Sequence, residues 1–465
     1  MARYYYANLE ISMIPSSPGR AGHFSFSTRS PLFLSLLITF ILASPLSALA
    51  STQIMMSRST DRISSDRFLI LNHSQGSFPS APGTSTAGTM PIAGTFSNLK
   101  AYVDTTPGGS TSWIVTLAIS GTLSGLTCTI TSATSSCSDL VHTKAVVASQ
   151  VPSVGFDATG GSPAATSVYF TVQFTPTNPG QTAWFFTTNG SSQSTTTVTF
   201  VPLSGIATPQ TETTRHIIVP EGGTFQNLYT QLTSTLVTGN FTLAPRSFSG
   251  LATTSITCTI TASNCSDTVN TYATSSPAAG NVGEFMDLSS MPQAPGVAAG
   301  VGGGIGFTPT ATGNFDFVNL WATNDSATAE SYLTFMGQVG AAVAIEASST
   351  MYADAMTVTD MQVKVNNAPA AGKTRQFAIR VNSATSTATC TVDGSAAQNN
   401  ICRWSGTLSL NSGDQVVIAD FPTGSPSATV GKISLVASVP SGAATSVRVI
   451  RLHGHVRLHG HVQFH

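Results

Sequence analysis

The sequence predicts an all-β protein of three tandem sandwich units, and composition, internal repetition and residue alternation each point that way. Charged residues make up 8% of the 465 positions and hydrophobic residues 41%, against about 25% charged in an average soluble domain. The chain therefore has apolar material for cores and relies on hydroxyls and amides for its surface. Its Ser, Thr, Gly and Val suit strands and reversals rather than long helices, because β-branched side chains fit a pleated surface and small residues fit turns.

Repetition divides the chain. Gly94-Thr95-Phe96-Ser97-Asn98-Leu99 recurs as Gly223-Thr224-Phe225-Gln226-Asn227-Leu228, and more loosely as Val358-Thr359-Asp360-Met361. Thr-Cys-Thr stands at 127–129, 257–259 and 389–391, and Phe174-Thr175-Pro176-Thr177 returns at 307–310. Gly161-Ser162-Pro163-Ala164 returns as Gly424-Ser425-Pro426-Ser427. Collinear offsets of 129 to 135 residues per copy are the signature of a repeated unit. Residues 68–71, 198–200 and 333–335 each precede the Gly-Thr-Phe region or its counterpart and are read as unit openings. The units then run 67–192, 193–328 and 329–451, after a polar arm at 51–66, with 445–450 closing the third.

Inside a unit the period is two. Trp113, Val115, Leu117 and Ile119 alternate with Ile114, Thr116, Ala118 and Ser120, and Phe377, Ile379 and Val381 repeat this in the third copy. Such alternation marks half-buried strands. About eight to ten short strands in about 125 to 135 residues suit a double-sheet jelly roll better than the alternative, a seven-stranded immunoglobulin-like sandwich of about 100.

The stretch Leu408-Ser409-Leu410-Asn411-Ser412-Gly413-Asp414-Gln415-Val416-Val417-Ile418 resembles the strand, Gly-Asp turn and strand near the end of jelly-roll heads of the C1q and tumour-necrosis-factor type. That resemblance covers 11 residues of the third unit and implies a jelly roll that trimerises and binds other macromolecules. The other units depart from it, with Gly280-Asn281 and Ser149-Gln150 at the turn.

Residues 32–43 (LFLSLLITFILA) form an uncharged apolar run, preceded by Arg20 and Arg29 and followed by Ala48-Leu49-Ala50. The run is about 12 residues long, short of the roughly 20 that span a bilayer, so 1–50 reads as a signal peptide cleaved after Ala50. The expected location is secreted or at the cell surface, with no membrane segment after cleavage. Removing Arg3, Arg20, Arg29 and Glu10 with the leader leaves a net charge of about −3. With no Lys/Arg cluster outside the tail, nucleic acid is not an expected partner.

Six cysteines form one close pair per unit: Cys128 and Cys137, Cys258 and Cys265, Cys390 and Cys402. An even count in an exported chain predicts disulfides, each contributing roughly 2.5 to 3 kcal/mol by loop-closure entropy. Zinc is not expected, because no pair has CxxC spacing and no His stands nearby.

No GxSxG, HExxH or P-loop occurs, and neither His142 nor His216, the histidines left for a Ser-His-Asp site, sits in a motif. The expectation is a non-enzyme without cofactor. Asp139 and Asp267 recur in Cys-Ser-Asp, while the third unit has Arg403 in the neighbouring position; these aspartates read as turn caps. The run 296–306 (GVAAGVGGGIG) reads as a flexible surface loop. In the His-rich tail, 452–465, the hexapeptide Arg-Leu-His-Gly-His-Val at 451–456 repeats at 457–462. His453, His455, His459 and His461 have ligand-like His-x-His spacing, yet a duplicated or mis-framed terminus produces the same pattern, so no metal is assigned. Sequons stand at Asn72, Asn189, Asn240, Asn264 and Asn324.

Export, triplication and low charge then predict a non-enzymatic structural or assembly protein whose partner is a further copy of itself. The alternative is a carbohydrate- or receptor-binding module, adhesin- or lectin-like, engaging an extracellular glycan or protein. Its candidate contact residues are Trp113, Trp184, Trp321 and Trp404, the four tryptophans, because sugar sites use aromatic platforms; core packing is the competing role for each.

Overall fold

A computed structural model describes residues 52–440 apart from 60, 76–79, 81–87, 189, 207, 211–214, 248–251, 296, 322–327, 336–342 and 395–399. The leader, the segment 445–450, the tail histidines, Asn189 and Asn324 lie outside the described residues. The first module comprises β1 (Gln53–Ser59), β2 (Arg67–Ile70), β3 (His73–Gln75), β4 (Gly94–Val103), β5 (Ser112–Ile119), β6 (Thr122–Ile130), β7 (Ser136–Val146), β8 (Pro152–Thr159) and β9 (Val168–Pro176). The second comprises β10 (Thr182–Thr187), β11 (Thr199–Val201), β12 (Gly205–Ile206), β13 (Ile217–Val219), β14 (Gly223–Leu232), β15 (Asn240–Ser247), β16 (Ala252–Thr253), β17 (Cys258–Ile260), β18 (Asn264–Thr274), β19 (Glu284–Gln293) and β20 (Val301–Pro309). The third comprises β21 (Asn314–Trp321), β22 (Ser331–Leu333), β23 (Met351–Tyr352), β24 (Met356–Val365), β25 (Thr374–Val381), β26 (Ala384–Asp393), β27 (Ile401–Leu410), β28 (Gln415–Thr423) and β29 (Gly431–Ser438).

Each module is a jelly roll. In the first, one sheet runs β1-β9-β4-β7 with β3 on its edge, and the other runs β2-β8-β5-β6. The same order appears as β10-β20-β14-β18 and β21-β29-β24-β27, faced by β11-β19-β15 with β17 beside β15, and by β22-β28-β25-β26. Counting main strands along the chain, every module interleaves 1-8-3-6 with 2-7-4-5, the double Greek-key order of a jelly roll. The immunoglobulin-like alternative is thereby set aside. Alternating residues of the two sheets fill each core, with Trp113, Phe96 and Phe156 in the first and Trp184, Phe225 and Phe307 in the second.

The structure moves the module boundaries one strand upstream. The segments taken as unit openings are β2, β11 and β22; the strands before them, β1, β10 and β21, already belong to the module that follows. Chain passes from one sandwich to the next at 177–181 and 310–313 rather than near 192 and 328. The polar arm at 51–66 is a correction of the same kind, since β1 is buried at every position and pairs with β9 along Gln53–Arg58. Its two-residue alternation is missing because both faces are covered: Met55 joins the first core, whereas Ile54 and Met56 join the core cluster of the third module. β10 behaves alike, with Trp184 and Phe186 in the second core and Ala183 and Phe185 packed against the first.

Those outward residues link the modules into a closed ring. The segment before the third main strand of the first module lies on β10 and β20 of the second, where Gly88 stands over Phe185 and Thr89 over Gly304. β13 of the second module packs on β21 and β29 of the third, and Ser434 Oγ donates to the Ile218 carbonyl at 2.6 Å. β23 of the third module packs on β9 of the first, and Arg58 Nη1 donates to the Thr350 carbonyl at 3.0 Å. The glycine run is not a surface loop: 301–306 lies in β20, a central buried strand between β10 and β14. A Cβ on Gly304 would meet the Thr89 carbonyl oxygen at 2.1 Å, so bare backbone there is what lets the first module sit on the second.

Candidate functional site: two clefts between modules

Strand register makes Ile92, Glu221 and Asp354 equivalent, each two residues before the third main strand of its module. Each reaches towards the following module, and what it meets differs. Ile92 approaches Gly306 across the first junction. Asp354 and Glu221 each border a cleft.

At the junction of the third module with the first, Asp354 accepts from Lys100 Nζ at 2.5 Å and from Gln173 Nε2 at 3.0 Å. Lys100 also donates to Ser412 Oγ at 2.8 Å, so the turn before Gly413-Asp414 leans on β4. Beside this pair Tyr102 and Tyr352 stack with ring centroids 4.3 Å apart, and Tyr169 meets Tyr352 edge-on at 5.2 Å. Arg58 lies over the Tyr169 ring at 5.3 Å, and Tyr169 donates its hydroxyl to Asp104 at 2.9 Å. Burial and the neighbouring Asp104 push the Tyr169 hydroxyl upwards against the pull of Arg58, so it stays a donor at any ordinary pH. The cleft that opens here has a volume of about 290 Å³ and is bordered by Tyr169, Tyr352, Asp104, Glu346, Ser383 and Gln415. An aromatic wall with a polar rim suits a ligand that has an apolar ring face and hydroxyls around its edge.

At the junction of the second module with the third, a pocket of about 310 Å³ is bordered by Glu221, Asn314, Asp360, Arg403 and Ser405. Glu221 accepts from Asn314 Nδ2 at 3.1 Å. Asp360 is held by Arg403, whose Nε and Nη2 donate at 3.0 and 2.6 Å, and by Gln362 at 2.8 Å. Asp316 on β21 is 5% exposed and directed at Glu221. Burial pushes the Glu221 carboxyl up to about 7, against the hydrogen bonds of Asn314 and Asp316. Burial, and then the charge of Glu221, raises Asp316 well above the usual carboxylate range.

The disulfides Cys128–Cys137, Cys258–Cys265 and Cys390–Cys402 are formed, with Cα separations of 5.6 to 5.7 Å. Each joins the fifth and sixth main strands, which are the outer edges of opposite sheets, so each staple straps shut one side of a sandwich. Asp139 and Asp267 do cap backbone. Asp139 accepts from the N–H groups of Thr127, Val141 and His142 at 2.9 to 3.1 Å, and Asp267 from those of Thr257, Val269 and Asn270 at 2.8 to 3.1 Å. Both sit where β7 and β18 bulge opposite Asn98 and Asn227, residues with φ of 52° and 56°. Burial raises the Asp139 carboxyl, and those bonds outweigh it and hold the group down to about 2.

The tryptophan platform is corrected for two of its members. Trp113 and Trp184 are 0% and 2% exposed and pack in the first and second cores, so neither reaches a ligand. Trp404 packs partly buried against the third core; Trp321 ends β21, the third module's counterpart of β10, which carries Trp184. His142 pairs with the capping Asp139 at 3.0 Å, and His216 with the buried Asp287 at 3.2 Å. Among the described residues no group of three acidic, His or Cys side chains is placed to hold a metal ion. Sequence reasoning missed Tyr102, Tyr169, Tyr352, Glu221 and Asp316, which lie far apart in the chain; aligning Ile92, Glu221 and Asp354 would have flagged the junction position. No protein-family model and no curated protein matches the chain.

Proposed function

We propose that the protein is a non-enzymatic extracellular recognition head that binds carbohydrate in the tyrosine-walled cleft between its third and first modules. The observation that carries this reading is ring closure within one chain. The outer face of each sheet containing β1, β10 or β21 is covered by a neighbouring module, so those faces are not open to further copies of the chain. A rigid head is what remains, and its closure creates the cleft of Tyr169, Tyr352, Asp104 and Gln415. Three strapping disulfides fit an oxidising location.

The test is a glycan array probed with the mature chain, followed by Tyr352→Ala and Asp104→Asn. Binding to a defined set of sugars, lost by at least tenfold in Tyr352→Ala with the fold intact, is the expected result; no sugar binding, or binding indifferent to both substitutions, overturns the reading. A structural coat role is the second reading, favoured by the outer edge strands that the disulfides strap; it requires the chain to polymerise through those edges.

A further inference from the structure

We propose that the junction between the second and third modules is a proton-operated latch, closed when Glu221 and Asp316 share a proton across the interface and loosened when that proton leaves. Geometry supplies the argument. Glu221 sits on the turn before β14 and Asp316 on β21, so the pair spans two modules rather than one. The side chains facing Glu221 are Asn314 and Asp316 from β21, Asp360 from β24, Arg403 and Ser405 from β27 and Val436 from β29. Arg403 is the cation among them, and its Nε and Nη2 bonds go to Asp360, with Nη1 directed at the Ala278 and Asn281 carbonyls. Neither Asp316 oxygen nor Glu221 Oε1 has a donor among its neighbours. A buried Asp316 with no donor but Glu221, facing a Glu221 whose Asn314 bond goes to the other oxygen, is compatible with closure only if one of the two keeps its proton.

The equivalent junction explains why the pair exists. Asp354 occupies the position of Glu221 and finds Lys100 and Gln173; in the third module those two positions hold Gln362 and Val436. Gln362 is itself spent on the Pro220 carbonyl at 2.6 Å and the Gly283 N–H at 2.7 Å. A carboxylate that had a lysine in one junction therefore has a second carboxyl in the other.

The sign follows. Both groups bind protons more tightly in the closed junction than when exposed, so closure is fully favoured below the ordinary carboxylate range and is lost as pH rises towards about 7. The opening constant should climb about tenfold per pH unit, for each proton released, across that window.

The experiment is hydrogen exchange on the full mature chain from pH 4.5 to 8, corrected for intrinsic rates, following 217–223 and 314–318, with and without calcium. Wild type should lose protection there as pH rises, while β1 and β9 keep theirs. Glu221→Gln, whose amide donates to Asp316 without titrating, should flatten the profile at the protected level; Asp316→Asn is the second variant should the first misfold. Equal pH profiles for wild type and Glu221→Gln overturn the proposal, and so does restoration of protection at pH 8 by calcium, which would make the pair a cation site.

Discussion

The junctions of the second module with the third and of the third with the first place equivalent carboxyls, Glu221 and Asp354, against opposite chemistry. The junction of the second module with the third is tethered by 310–313, so its two faces are held at high effective concentration and tolerate an acid with no cation bound to it. The other closes the ring with no linker between its faces. It carries the ion pair of Lys100, the tyrosine stack and the contact of Arg58 with Thr350. The difference teaches that the ion pair and the tyrosine stack stand where closure depends on contacts alone, whereas the tethered junction is held mainly by hydrogen bonds of Ser434, Gln362 and Arg403 with backbone groups of the second module.

The largest effect that would break this comparison is steric. Gly304→Leu drives a side chain into the Thr89 carbonyl and should cost about 3 kcal/mol or more in denaturant unfolding, whereas Gly313→Leu, in open space on the linker, should cost far less despite its φ of 94°. Next comes the acid position itself. Asp354→Ala strands Lys100 and Gln173 and should cost about 2 kcal/mol at pH 7.5, while Glu221→Gln should be neutral or stabilising there. Equal losses from both would show that the two junctions do not differ in kind.

The capping aspartates sharpen the comparison within modules. Asp139→Ala leaves three backbone N–H groups without their acceptor and should cost about 1–2 kcal/mol by chemical denaturation. Because the folded carboxyl titrates at about 2, its contribution is present above the ordinary range near pH 4 and is lost as pH falls towards 2; thermal melts of wild type and variant should converge there. A separate pH effect belongs to His73 and His216, which burial lowers to about 4. Both are neutral when folded, so stability should fall as pH drops from about 6.5 towards 4, and His73→Gln should blunt that fall.

Much of the fold was legible because repeats and two-residue alternation report half-buried strands. Trp113 to Ile119 alternates and is β5; Phe377 to Val381 alternates and lies in β25. What escaped were two strands buried on both faces. Gln53–Ser59 and Val301–Pro309 lack alternation, one reading as a polar arm and the other as a glycine loop, because their second face belongs to another module. The third copy also hid its difference at the bulge: Trp404 stands in the register of Asp139 and Asp267, one residue is missing from the bulge, and no capping carboxylate is needed. The junction chemistry was illegible for the same reason as the ring, since Tyr102 and Tyr352 are neighbours only after closure.

The claim of closure within one chain is tested most directly by absolute mass. Light scattering of the chain without residues 1–50, over a concentration series that spans two orders of magnitude, should return the mass of a single chain throughout, because each module already covers its neighbour. A trimer, or a mass that grows with concentration, would contradict the account and place the junctions between chains.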